Sequence, residues 1–129
     1  MNPRDLLRDP FQGELDYFRK NKNVTGMATE DNRIILNPYS SLDEKQKDSV
    51  IKNEAARILI RTGKIEKPGF DLTEEQNKFL DGTAYKNASE EDRKATIAAR
   101  LLTGDISGQN ATEEQMNYIS KLSDLFGEK

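Results

Sequence analysis

Asn53-Glu54-Ala55-Ala56-Arg57 stands on a helix-forming segment that follows two β-leaning runs. A zinc protease carries His-Glu-x-x-His in that context, two imidazoles one helical turn apart with a Glu base between them. Neither ligand position here holds an imidazole, and the chain has no His and no Cys at all. That removes Cys/His zinc clusters, disulfides, and thiol or imidazole nucleophiles; what the pattern leaves open is a degenerate protease-like fold without zinc. A second candidate, Asp105-Ile106-Ser107-Gly108-Gln109-Asn110, resembles the start of a calcium loop but fails on its ligands. With Asp105 as the first position, Asn110 falls where the loop needs Gly, and Met116 falls where it needs the bidentate Glu. Glu14 and Glu54 could be posed as a glycosidase pair, but that mechanism is set by carboxylate separations of roughly 5 to 9.5 Å that a sequence does not define. The expectation is a protein without catalysis, metal or cofactor.

Cations offer a different chemistry. Arg57 and Arg100 each follow an Ala-Ala pair near a helix end, placed to pair with a carboxylate or to bind terminal helix carbonyls. Arg57, Arg61, Lys64 and Lys67 could form a basic stripe for nucleic acid, yet a solvated helix end complementing the macrodipole explains them as well. Residues 1–62 carry 11 basic and 10 acidic side chains and residues 63–129 carry 9 and 13, for a net charge of -3 over 129 residues. The second half would repel phosphate, which disfavours nucleic acid and anionic membrane as partners.

Phe11, Leu15 and Phe18 recur at i, i+4 and i+7, predicting a short helix from Phe11 to about Lys20, just after Pro10. The runs at 24–28 and 33–37, separated by Thr29-Glu30-Asp31-Asn32, predict a β-hairpin, and Pro38 ends its second strand. Ser41-Leu42-Asp43-Glu44 has capping-box spacing, as do Thr73-Glu74-Glu75-Gln76, Ser89-Glu90-Glu91-Asp92 and Thr112-Glu113-Glu114-Gln115. Helices are therefore expected at about 42–62, 74–81, 90–103 and 113–126. In the last, Met116, Ile119, Leu122 and Phe126 share a face, with Tyr118 and Leu125 beside it. No apolar run nears the roughly 20 residues of a membrane span, and the first ten residues have no signal-peptide core.

The same phrases occur twice. Ala55-Ala56-Arg57-Ile58-Leu59 with Thr62-Gly63-Lys64-Ile65 is echoed by Ala98-Ala99-Arg100-Leu101-Leu102 with Thr103-Gly104-Asp105-Ile106. Thr73-Glu74-Glu75-Gln76-Asn77-Lys78-Phe79-Leu80 is echoed by Thr112-Glu113-Glu114-Gln115-Met116-Asn117-Tyr118-Ile119. The small paired alanines suit a close helix crossing. The predicted architecture is mainly α and a single domain over 1–129: an N-terminal helix and β-hairpin (1–40), then a small helical bundle of two related helix-loop-helix units (41–82 and 83–129).

Phe11, Tyr17, Phe18 and Tyr39, with Phe70 and Tyr85, lie in short elements bordered by charge, the composition of a protein contact surface. Residues 28–40 and Asn53-Glu54-Ala55-Ala56-Arg57, then Gly82-Thr83-Ala84-Tyr85 and residues 95–105, resemble small proteins encoded by tailed bacteriophages, a likeness over about residues 23–115. The resemblance implies a viral origin and a virion or assembly role but assigns no activity to particular residues. The expected function is non-catalytic protein–protein interaction, as a minor virion structural or assembly component, made in the host cytoplasm and carried in the virion. Its partners would be other virion proteins or itself in a symmetric assembly, with Phe11, Tyr17, Phe18, Tyr39, Arg57 and Arg100 as candidate contacts. The alternatives are an accessory protein acting on a host factor or nucleic acid, and the zinc-free protease-like fold.

Overall fold

The computed structural model describes residues 1–104, 106 and 111–127. The chain is mainly helical with one antiparallel hairpin near its start. A 3₁₀ turn at Pro3–Leu6 leads to α1 (Gln12–Lys20), β1 (Gly26–Ala28), β2 (Ile34–Leu36), α2 (Glu44–Arg61), α3 (Glu74–Asp81), α4 (Glu90–Thr103) and α5 (Glu113–Leu125). Most of the segment compared with a calcium loop, Asp105 and 107–110, lies outside the described residues.

Helix starts follow the side chains that can satisfy otherwise unpaired amide hydrogens. Thr73 and Thr112 accept from the amides of Gln76 and Gln115, whose side chains accept in return from the cap amides. Ser89 caps α4 through the Asp92 amide. At α2 the cap is Asp43, two residues beyond the expected Ser41: its carboxylate accepts from the Gln46 amide at 2.8 Å, and Gln46 Oε1 accepts from the Asp43 amide at 2.9 Å. That frame puts an anion at the positive end of the helix and a reciprocal Gln at N3. Gly63 and Gly104 follow the two long helices with φ of 75° and 79°, conformations that disfavour a side chain.

In the hairpin, Met27 pairs with Ile35 and Asn32 takes the left-handed turn position with φ of 60°. Leu7 bridges Ile34 in parallel, and Arg33 holds that segment by donating to the carbonyls of Leu6 and Leu7 at 3.0 and 2.9 Å. Arg61 reaches from α2 to the hairpin turn, donating to Thr29 O at 2.6 Å and Asn32 Oδ1 at 3.1 Å. β1 lies so close to α2 that a Cβ on Gly26 would sit 2.7 Å from Val50 Cγ1.

The core runs from Ile34 through α2 and α4 to α5. Ala55, Ala56, Ala98 and Ala99 are all fully buried within it, beside Ile51, Ile58, Phe70 and Leu122. Without bulk beyond Cβ, the alanines let the two backbones approach, as their pairing suggested. On α5 the core face differs from expectation: Gln115, Tyr118, Ile119 and Leu122 are buried, while Met116 is exposed. The face is turned toward Gln115, whose amide has a buried partner.

Candidate functional site

The sequence candidates separate into two places. Phe11, Tyr17 and Tyr39 are 64%, 45% and 40% exposed at the N-terminal end. Phe11 ends the approach to α1, where its amide donates to Glu14 Oε1 at 2.7 Å. The Arg8 guanidinium lies 4.0 Å from its ring centroid and forks onto Glu14 at 2.8 and 2.9 Å while also meeting Asp31. Asp31 in turn accepts from the Thr29 hydroxyl. These bonds raise the Arg8 pKa. Glu14 and Asp31 are held below the usual carboxylate range, chiefly by hydrogen bonds from Arg8 and Thr29 respectively. Arg19 lies 5.7 Å from the centroid of Tyr39 and donates to its hydroxyl at 3.3 Å. Arginines stacked on exposed rings present flat, pre-positioned surface.

Phe18 is not part of this surface. It is 0% exposed, the one member of the i, i+4, i+7 stripe that is fully covered, with Leu15 half-buried and Phe11 exposed at its start; the contact reading for Phe18 is corrected to a packing role. Phe70 is also buried, edge-on to Tyr118 with centroids 5.7 Å apart. The basic stripe is broken up, with Arg61 on the hairpin turn and Lys67 3.0 Å from Glu91.

The second place is a cleft of about 500 Å³ between the hairpin and the α2–α4 seam, bordered by both Arg57 and Arg100. Arg57 donates from Nη2 to Thr96 Oγ1 at 2.6 Å, and its guanidinium carbon lies 4.8 Å from the Tyr85 ring centroid. Its buried Nε has no hydrogen-bond acceptor among the described residues. Tyr85 is fixed by Arg93, which donates to the carbonyls of Tyr85 and Lys86 at 3.1 and 2.9 Å and to Asn77 Oδ1 at 2.9 Å. Arg100 stacks over Phe79 at 5.3 Å. Glu54, from the protease-like pentapeptide, borders this cleft too. Burial pushes its carboxyl above the usual range, against the opposing pull of Arg57, a bond from the Ala28 amide and Arg61.

Sequence reasoning missed Tyr85 as the ring under Arg57, because the two are brought together only by tertiary packing. It also missed the Gln76–Gln115 pair. Each side-chain amide donates to the other's oxygen at 2.8 Å in a buried position, and Gln115 also donates to Asp71 O at 2.9 Å. The signal available was a Gln at the fourth position of both echoed boxes. Among the described residues no cluster of acidic side chains could hold a metal ion, and no helix is long and apolar enough to cross a membrane. No protein-family model, curated protein or solved structure matches the chain.

Proposed function

We propose that the protein is a non-catalytic protein–protein interaction protein, acting as a minor structural or assembly component of a tailed-phage particle. The observation that carries the reading is the exposed aromatic surface at the N-terminal end. Phe11, Tyr17 and Tyr39 stay outside the core although the chain buries other large aromatics, and two of them are backed by stacked arginines. Aromatic residues and Arg are the types that dominate binding energy at interfaces. The viral setting is supported by the resemblance of residues 28–40, 53–57, 82–85 and 95–105 to small tailed-phage proteins. The two helix-loop-helix units are read as a duplication, supported by the way the equivalent Gln76 and Gln115 meet each other.

The test is quantitative mass spectrometry of particles from the source phage, with wild type and the triple variant Phe11→Ala/Tyr17→Ala/Tyr39→Ala. The expected result is a stoichiometric wild-type chain in particles and a triple variant that melts like wild type but is depleted from them. A wild-type chain absent from purified particles would overturn the virion role.

A further inference from the structure

We propose that the cleft between the hairpin and the α2–α4 seam binds the carboxylate of a small aliphatic acid, with Arg57 as the principal ligand. Three features of the cleft converge on that chemistry. The Arg57 guanidinium lies over the Tyr85 ring, 4.8 Å from its centroid, and its N–H groups form the planar fork that matches a carboxylate. One of those groups, Nε, is buried with no acceptor among the described residues, whereas buried polar atoms are ordinarily satisfied. Asn53 borders the same cleft and brings an amide donor.

Charge and lining select within the anions. Arg57 and Arg100 outnumber Glu54, the one carboxylate bordering the cleft, so the lining favours an anion, while Glu54 opposes one as highly charged as phosphate. Val24, Val50 and Ala84 supply apolar wall for a short hydrocarbon tail. The volume of about 500 Å³ falls in the usual range for small-molecule sites. Positioning comes from Arg93, which fixes the backbone that carries Tyr85. None of Phe11, Tyr17 and Tyr39 lines this cleft, and each reading can fail without the other.

The experiment is an NMR titration of the full chain, following the Arg57 Nε–H signal at constant ionic strength with butyrate, butyramide and inorganic phosphate in turn. Butyrate is expected to move the signal saturably with a midpoint of about 1–10 mM, while butyramide and phosphate do not. Arg57→Lys, which keeps charge but loses the fork, should weaken binding about tenfold. Glu54→Gln, which removes the competing carboxylate, should tighten it, a gain that an unfolded variant could not show. No saturable butyrate shift, an equal response to phosphate, or weaker binding in a folded Glu54→Gln variant would each overturn the assignment.

Discussion

The two helix-loop-helix units use the same grammar but do not do the same work. Both have a Thr-capped second helix, an Ala-Ala-Arg segment and a left-handed glycine stop. Yet at equivalent positions Tyr118 is 5% exposed and Phe79 is 37% exposed. Tyr118 packs edge-on to Phe70 and donates its hydroxyl to Glu66 O at 2.7 Å, an environment whose burial raises its pKa. Phe79 lies outside under the Arg100 guanidinium. Hence one copy of the motif closes the core and the other offers its ring to the surface. Tyr118→Ala should therefore cost about 3–5 kcal/mol in denaturant unfolding and Phe79→Ala less than about 1 kcal/mol. Equal losses would break the asymmetry.

The glutamine pair sharpens the same comparison at smaller scale. Gln115 uses all four of its hydrogen-bonding sites, on Thr112, Asp71 and both polar atoms of Gln76. Among the described residues Gln76 uses three, on Thr73 and Gln115; the position equivalent to Asp71 is Asn110, outside the described residues. Gln115→Leu should cost about 2–3 kcal/mol and Gln76→Leu about 1–2 kcal/mol, since each strands a buried amide but only the first also strands the Asp71 carbonyl. A double-mutant cycle should return a coupling of about 1 kcal/mol or more. A zero coupling would mean that the two boxes act independently.

Helix positions and the hairpin were legible in the sequence because capping, turn and periodic signals are local. The start of α2 was missed by two residues because Ser41 and Asp43 both offer capping spacing, and only the reciprocal bond of Gln46 decides between them. Phe18 and Met116 were misplaced for a related reason: a periodic stripe shows that a helix has a face but leaves open which residues at its margin are covered. Phe18 belongs to the buried face, and Met116 gives way to Gln115, a polar residue buried only because a distant Gln meets it. The candidate site was half legible. Arg57 and Arg100 were found from the echo, while Tyr85, Thr96 and Arg93 are assembled around Arg57 by the fold.

A last difference between the units lies one helix position apart from the alanines. Glu54 in α2 is equivalent to Ile97 in α4, so one helix half-buries a carboxylate where the other fully buries a hydrocarbon. The hairpin explains it, since the Ala28 amide offers Glu54 a donor. Because burial raises the folded-state pKa of Glu54, its linked stability is present below the unfolded value near 4.5 and is lost as pH rises through the folded value. Glu14, Asp31 and Glu66, shifted downward, have the opposite sign and lose stability on acidification. The informative quantity is thus the difference between wild type and Glu54→Gln, which keeps an acceptor for Ala28. That variant should be more stable by a few tenths to about 1 kcal/mol at pH 7, with the advantage vanishing below about pH 4. A variant less stable than wild type at pH 7 would show that Arg57 and Arg61 more than offset the cost of burying the charge, making the carboxylate an asset to α2 rather than a concession to the cleft beside it.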